Sequence, residues 1–249
     1  MKNRYAIFFI LIIFNIQLVS FKIEKQFKKN LKISIIIPCH PQHAIHLYPL
    51  VKLYKQQTVI PYEVVVSLSE SKKIKKFLIE KIESEQWPFS LKLLLSEEKL
   101  YAGQNRNKAS ENSSGDILIY QDADDIPHSQ RVEIIKYFFE NYEIDHLMHL
   151  CEKREETKFK YYRPQEIIYF HLRNYKETLS QKFNTQNTVV TNGNPALKRS
   201  VFNNFKWSPT SIPAEDTHFN TVLYRHLQNC ILLPIPLLTY RMRLSSWKN

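Results

Sequence analysis

From Ile33 onward, short apolar runs rich in β-branched residues alternate with stretches whose apolar residues recur at helical spacing. The short runs predict buried strands at residues 33–37, 64–66, 91–95 and 117–120, the first of them ended by Pro38. This alternation is typical of βα units. We therefore predict an α/β fold with a mostly parallel central sheet flanked by helices.

Helices are expected between these strands, and the pattern becomes less regular further along the chain. The apolar positions of the first two helices are Leu47, Leu50, Val51 and Tyr54, and then Ile74, Phe77, Leu78 and Ile82; a third helix covers residues 102–112. The second half shows a charged stretch at 152–160, a helix from Glu166, a strand at 188–190 and a helix beginning near Ala214. No internal repeat is visible.

The N-terminus carries a targeting segment. An apolar run from Tyr5 to Phe21 is flanked by lysine and arginine, and its length is at the short end of the roughly 17 to 25 residues that a spanning helix needs. We expect an uncleaved single-pass anchor with a basic stem at 1–30, which makes the protein membrane-associated, in the secretory pathway if the host is eukaryotic. A cleaved signal peptide is the alternative. Because positive residues flank both ends, orientation stays open.

Length and charge narrow the function. The chain has 249 residues, so residues 31–249 are expected to form one catalytic-size domain. The net charge of +11 is scattered and no nucleic-acid-binding motif accompanies it. We therefore expect no nucleic-acid partner, but anionic small molecules or lipid headgroups. Cys39, Cys151 and Cys230 form neither a zinc pattern nor a dense disulfide framework, although a single bridge stays open.

Glycine is unusually scarce. The only three glycines are Gly103, Gly115 and Gly193, and each stands where a turn is expected. Because glycine tolerates positive φ and close backbone approach, these positions predict tight turns near a functional site. An ordinary helix cap is the alternative, which fits Gly115 best.

Three carboxylates follow the fourth predicted strand in Asp122-Ala123-Asp124-Asp125. Ligands bind at the carboxyl edge of open α/β sheets, and closely spaced carboxylates repel one another unless a cation compensates them. Mg²⁺ and Mn²⁺ use one or two carboxylates together with substrate phosphate oxygens. A solvated surface loop is the alternative, but the position directly after a buried strand favours a metal site.

Several motifs in order resemble family 2 glycosyltransferases. They are Ser34-Ile35-Ile36-Ile37-Pro38, Gly103-Gln104-Asn105-Arg106-Asn107, the stretch from Ser114 to Asp125, Glu215-Asp216, and Tyr240-Arg241. The resemblance covers nearly all of residues 31–243. It implies the GT-A fold and a metal-dependent, inverting transfer of a sugar from a nucleotide-diphosphate-sugar to a hydroxyl of a glycan, lipid or protein acceptor. Mn²⁺ or Mg²⁺ is the implied cofactor.

The resemblance also assigns roles. Asp122 and Asp124 are the implied metal-linked aspartates, with Asp125 a further ligand or a supporting partner. The implied donor-binding residues are Pro38, Ser69, Arg106, Asn107, Asp122 and Gly193. Arg106 and Asn107 could hold the nucleotide or brace the loop.

The resemblance places the catalytic base in the pair Glu215-Asp216. The pair follows Pro213 at a predicted helix start, where free N–H groups stabilise anions. Adjacent helical residues point about 100° apart, so only one of the two is expected to face the reacting centre. We assign Asp216 as the base and Glu215 as a positioning or acceptor-binding residue. Both could instead simply cap the helix.

The segment expected to bind the nucleoside of the donor departs from the family pattern. Where the family carries an acidic pair after the second strand, this chain has Ser69 and Glu70, either of which could substitute. The histidines His40, His43, His46, His218 and His226 make no zinc pattern, although the last two could add a metal ligand. A nucleotide-sugar-binding protein without transfer activity and a basic membrane-surface protein remain alternatives.

Overall fold

The computed structural model describes residues 30–153, 160–172, 182–210 and 212–240. The strands are β1 Ile33–Cys39, β2 Glu63–Leu68, β3 Ser90–Leu95, β4 Ile117–Tyr120, β5 Ile126–Pro127, β6 His146–Glu152, β7 Phe170–His171, β8 Thr188–Val190, β9 Ala196–Lys198 and β10 Cys230–Thr239. The helices are α1 Ala44–Lys55, α2 Lys76–Glu83, α3 Ala102–Glu111, α4 Arg131–Asn141, α5 Arg199–Asn204 and α6 Glu215–His226. Short 3-10 turns lie at Pro41–His43, Ser71–Lys73 and Pro164–Glu166.

One mixed sheet contains all the described strands. Its order is β3-β2-β1-β4-β9-β6-β10-β5, with β7 on β10 and β8 on β6. β1 to β4 pair in parallel, whereas β9 runs antiparallel to both of its neighbours, β4 and β6. The prediction of a mostly parallel sheet therefore holds for the first half and is wrong for the second, where antiparallel pairs predominate.

The apolar alternation of the central strands buries both faces of the sheet. Ile35 and Ile37 of β1 belong to a large core shared with α1, α2 and α4, and Ile36 points to the other face, where α3, α5 and α6 pack. The expected face of α1 is confirmed: Leu47, Leu50, Val51 and Tyr54 are all buried. Helices on both faces leave the carboxyl edge of β1 and β4 open for a ligand.

Three local predictions are wrong. Pro38 does not end β1 but lies inside it, opposite Ser67 of β2, and it is tolerated there because the ladder to β4 stops at Ile36. The helix expected from Glu166 is a single 3-10 turn ending at that residue, with β7 soon after. Phe77, expected on a buried helix face, is 58% exposed.

Some predicted features lie outside the described residues, and one that lies within them is not found. The apolar run at 5–21 and Arg241 lie outside them. Within the described ranges, no helix is long and apolar enough to cross a membrane. The three cysteines are free and buried, so the single disulfide left open by the sequence does not form.

Candidate active site

A cavity of about 490 Å³ opens at the carboxyl edge of β1 and β4. It lies where the sheet changes from parallel to mixed, between the end of β4, the turn after β8 and the start of α6. Of the residues predicted to act, seven line it: Pro38, Arg106, Asp122, Asp124, Gly193, Glu215 and Asp216. The fold thus brings the metal-site aspartates and the candidate base, about ninety residues apart in sequence, to one cavity.

Arg106 of α3 joins the two acidic elements. Its Nη2 donates to Asp122 Oδ1 at 2.8 Å, and its Nη1 donates to both carboxylate oxygens of Glu215 at 3.0 and 3.2 Å. The ring of Trp207 packs 4.5 Å from the guanidinium carbon. Burial lowers the pKa of Arg106, but the carboxylates of Asp122 and Glu215 outweigh it and hold the pKa above its ordinary value. Arg106 therefore braces the site as a permanent cation.

Asn194, in the turn after β8, fixes the aspartates from the other side. Its Oδ1 accepts from the Asp122 main-chain N–H at 2.6 Å, and its Nδ2 lies 3.2 Å from Asp122 Oδ2 and 3.0 Å from Asp125 Oδ2. Asp125 is 3% exposed and does not line the cavity. Of the two roles open to Asp125, this geometry favours the supporting partner over the metal ligand.

A buried layer under the cavity holds the Asp122–Asp125 turn. Gln121 Nε2 donates to the carbonyls of Asp122 and Asp125 at 2.8 and 3.1 Å, and its Oε1 accepts from Arg131 Nη1 at 2.9 Å. The second terminal nitrogen of the Arg131 guanidinium, Nη2, donates to the carbonyls of Tyr120 and Asn194. One fully buried arginine therefore ties the end of β4 to the turn that carries Asn194.

Asp122 and Asp124 differ in their surroundings. Burial raises the pKa of Asp122 to about 6, with Arg106 opposing the shift and the neighbouring charge of Asp124 adding to it. Within the described ranges, the Asp124 carboxylate pairs only with His43, whose Nδ1 lies 3.5 Å from Asp124 Oδ2. Both carboxylates line the cavity, where Asp122 is held by Arg106 and Asn194 and Asp124 lies beside His43.

The start of α6 presents Glu215 and Asp216 together. Ala214, the residue before the helix, has the left-handed φ of 50°. Both acidic residues line the cavity. Both carboxylate oxygens of Glu215 accept hydrogen bonds from Arg106, whereas no ion pair of Asp216 is found in the described part of the chain. Asp216 Oδ1 accepts from the N–H of Thr217 at 2.7 Å.

Two residues predicted to bind the donor lie elsewhere. Asn107 uses both ends of its amide on the main chain of Trp207, at 2.9 and 3.0 Å, so it braces the loop, the second of its two proposed roles. Ser69, the residue after β2, is fully buried and does not line the cavity. Glu70 has a φ of 47° and faces His40 Nε2 at 3.3 Å.

The glycines are required by close approach rather than by positive φ, which none of them adopts. A Cβ on Gly193 would clash with Asp122 Oδ2, and a Cβ on Gly103 would lie 2.8 Å from Glu215 Oε1. Gly115 packs instead against Ser34 of β1, so it is not a helix cap. Two of the three glycines therefore adjoin the site, as predicted.

The cysteines beside the cavity are not nucleophiles. Cys39 and Cys151 line it, but burial raises the pKa of both thiols, with the nearby aspartates adding to the shift. The thiol form is inert.

The donor set of the cavity suits a hard divalent cation. Its lining carries the carboxylates of Asp122, Asp124, Glu215 and Asp216 against the permanent cations Lys99 and Arg106. In the described ranges, no cluster of three or more histidine, cysteine or acidic side chains forms a complete metal site. Mg²⁺ and Mn²⁺ sites that use one or two carboxylates and complete the shell with phosphate oxygens and water need no such cluster.

The sequence reasoning missed Asn194, Arg131 and the contact of His43 with Asp124. Asn194 stands next to Gly193 in Thr191-Asn192-Gly193-Asn194-Pro195, and a polar residue beside a glycine in so glycine-poor a chain was an available signal. Arg131 had none, because a buried arginine without a carboxylate partner is not visible in a linear pattern.

The chain is similar to known proteins in its sequence pattern and in its fold. The family model of glycosyl transferase family 2 matches residues 34–205, and no curated protein sequence gives a significant match. The structure of S. aureus TarS 1–349 in complex with UDP-GlcNAc is similar, with a TM-score of 0.66 and 17% identity over 88% of this chain and 62% of that one.

A second similar structure is the mannosyltransferase PcManGT from Pyrobaculum calidifontis in complex with GDP-Man and Mn²⁺, with a TM-score of 0.63 and 14% identity over 91% of this chain and 61% of that one. The chain thus spans about three fifths of the length of these two structures. At such identities the likeness shows a shared fold. Because the family model covers more than half of the chain, the protein belongs to glycosyl transferase family 2.

Proposed function

We propose that this protein transfers a sugar from a nucleotide-diphosphate-sugar to an acceptor hydroxyl, with inversion at the anomeric carbon and with the help of a divalent cation. The observation that carries the proposal is the shared cavity. Asp124, which faces the cavity, and Asp216, which has no ion pair in the described ranges, line it together, and Arg106 links their neighbours Asp122 and Glu215.

Charge supports the dependence on a cation. Four carboxylates against two permanent cations make the lining acidic, and a diphosphate would be repelled by it. Asp124, with Asp122 behind it, would hold a Mn²⁺ or Mg²⁺ ion against the diphosphate. When bound, the ion supplies Lewis-acid neutralisation of the leaving group.

Asp216 is the base in this proposal. As the acceptor oxygen forms its bond to the anomeric carbon, the bond from that carbon to the diphosphate oxygen breaks, and the acceptor proton passes to the Asp216 carboxylate. Glu215 cannot take this role while Arg106 holds both of its oxygens. Glu215 therefore positions the start of α6 through its ion pair with Arg106.

The partners follow from the same proposal. TarS and PcManGT were solved with UDP-GlcNAc and GDP-Man, so uridine and guanosine diphosphate sugars are the donors to test first. The acceptor is a glycan, lipid or protein hydroxyl. We also propose that the apolar run at 5–21 holds the protein at a membrane.

Thermal shift with a panel of nucleotide-sugars and Mn²⁺ tests donor binding without an acceptor, because a ligand of the native state raises its apparent stability. We expect a cation-dependent rise for one donor class, lost in Asp124→Ala and kept in the surface control Asp116→Asn. Binding followed by no turnover with any acceptor would favour the binding protein over the enzyme. No binding of any donor would overturn the proposal.

A further inference from the structure

His43 and Asp124 come from different elements and meet at the cavity. His43 ends the 3-10 turn after β1 and precedes α1, and Asp124 follows β4. Both line the cavity, and both side chains are 14% exposed. The main-chain N–H of His43 donates to the carbonyl of His40 at 2.9 Å, which fixes the turn. The imidazole therefore has a defined position beside the carboxylate.

The distance between the two groups is not that of a hydrogen bond. Nδ1 of His43 lies 3.5 Å from Oδ2 of Asp124, whereas a hydrogen bond to a carboxylate measures about 2.7–2.9 Å when the donor is charged. Two donor atoms that share one cation through bonds of about 2.1 Å are separated by about 3.0 Å at a right angle and about 3.4 Å at a tetrahedral angle. The observed spacing is slightly wider than these values, so a small movement of the two side chains would bring both onto one ion.

The neighbouring carboxylates are already used by the protein. Asp122 accepts from Arg106 and Asn194, and Asp125 accepts from Asn194. Within the described ranges no hydrogen bond to the Asp124 carboxylate is present. Its only close partner there is the imidazole of His43.

We propose that His43 Nδ1 is a ligand of the divalent cation alongside Asp124 Oδ2, with diphosphate oxygens and water completing the shell. This inference rests on the proposed function, because the cation is the one that assists transfer. Imidazole nitrogen favours transition-metal ions, whereas Mg²⁺ prefers oxygen. The site consequently binds Mn²⁺ more tightly than Mg²⁺, and His43 is the reason.

The test is Mn²⁺ binding followed by electron paramagnetic resonance, with UDP or GDP present and absent. In the wild-type chain the bound ion should show the spin-echo modulation of a directly coordinated nitrogen. In His43→Ala we expect this modulation to vanish and the Mn²⁺ dissociation constant to rise about tenfold or more. His43 makes no side-chain cap to α1, so the variant should stay folded.

The matched control is His46→Ala, whose ring centroid lies 6.4 Å from that of His43; it should keep both the modulation and the affinity. His43→Asp supplies an oxygen ligand instead, so it should still bind a cation, without nitrogen modulation and with a smaller preference for Mn²⁺ over Mg²⁺.

The outcomes separate this inference from the proposed function. If Asp124→Asn loses Mn²⁺ while His43→Ala keeps the wild-type modulation and affinity, His43 is not a ligand and the proposed function stands. If the wild-type chain binds no Mn²⁺ with either nucleotide, both are overturned.

Discussion

At the scale of single residues, the carboxylate of Asp122 is enclosed by three neighbours. Arg106 and Asn194 donate to its two oxygens, and the missing side chain of Gly193 leaves room for one of them. Because these contacts fix the position of Asp122, small changes around it should alter chemistry more than stability.

Gly193→Ala tests this crowding. The added Cβ would clash with Asp122 Oδ2 and lie 3.2 Å from Arg106 Nη2, so the carboxylate must shift. Misplacing a reacting group by about 1 Å can cost roughly 100-fold in rate, and we expect a loss of that size in donor turnover, measured as nucleotide release.

Gly115→Ala is the matched control, since Gly115 lies away from the cavity. Its Cβ would lie 2.8 Å from the main-chain nitrogen of Ser34 and 2.9 Å from the carbonyl of Lys32. Such overpacking should lower the free energy of unfolding by about 1–3 kcal/mol and leave turnover per folded molecule unchanged. Equal turnover losses in the two variants would contradict the role given to Gly193.

The residue roles that the sequence could predict are those carried by a local motif. Asp122 and Asp124 directly follow a strand, and Asp216 opens a helix, so each position could be inferred from its own neighbourhood. The bond of Asn107 to the main chain of Trp207 joins residues 100 positions apart, and no local pattern encodes it. Likewise, no local pattern shows that Ser69, which was expected to bind the donor, is buried in the interior.

At the scale of elements, the Arg131 side chain of α4 connects four others. It donates to Tyr54 of α1 at 3.1 Å, to Gln121 and Tyr120 at the end of β4, to Asn194 after β8, and through Nε to His149 of β6 at 3.3 Å. Since arginine only donates, His149 accepts at Nε2 and carries its proton on Nδ1, which faces the Leu150 carbonyl. The buried layer is thus held by neutral acceptors around one cation.

Arg131→Met removes this cation and leaves several buried acceptors without donors. Each unsatisfied group costs about 1–3 kcal/mol, so urea unfolding should show a loss of at least about 3 kcal/mol. The exposed Arg163, which pairs with Glu166 at the surface, is the control, and Arg163→Met should change stability by less than about 0.5 kcal/mol. Similar losses in both variants would argue against the network.

The histidines of β6 make stability depend on pH. Burial lowers the pKa of His146 to about 4, against the hydrogen bond to Asn220, which raises it. Because the folded pKa lies below the unfolded value, the stability contributed by neutral His146 is complete above about pH 6.5 and is lost as the pH falls toward 4.

This linkage predicts that His146 accounts for about 2 kcal/mol of the stability lost between pH 7.5 and pH 5. In His146→Gln the loss between the two pH values should shrink by that amount, measured by urea unfolding at each pH. Contributions from other groups, including Asp122, are common to both chains and cancel. An unchanged difference would show that His146 is not buried in its neutral form.

The first half of the fold could be predicted because its strands are apolar runs separated by amphipathic helices, and the strand predicted at 117–120 matches β4. In the second half, the strand predicted at 188–190 matches β8. β6 was missed since its buried face includes His146 and His149, and β10 since Pro234 and Pro236 interrupt its pattern. Pro236 coincides with an irregularity in the pairing of β10 with β6, which lets a proline-containing strand join the sheet interior.

At the scale of the whole molecule, the segment before the described domain is rich in positive charge. Residues 1–29 contain six lysines or arginines and one glutamate, next to the apolar run at 5–21. Attraction of basic segments to anionic lipids adds to apolar insertion. We expect the full chain to float with vesicles containing phosphatidylserine, even at high salt, and a chain beginning at Asn30 to stay behind. Flotation of both chains, or of neither, would contradict the proposed tether.

Cation-dependent sugar transfer at this cavity is tested most directly by nucleotide release from the matching donor, measured on the 249-residue chain with and without Mn²⁺ in the wild type, Asp124→Ala and Asp216→Asn. We expect cation-dependent release by the wild type and none by Asp124→Ala. Asp216→Asn should bind the donor as the wild type does but release nucleotide at least about 100-fold more slowly. Undiminished release by Asp216→Asn, or release that needs neither the cation nor Asp124, would contradict the proposed transfer.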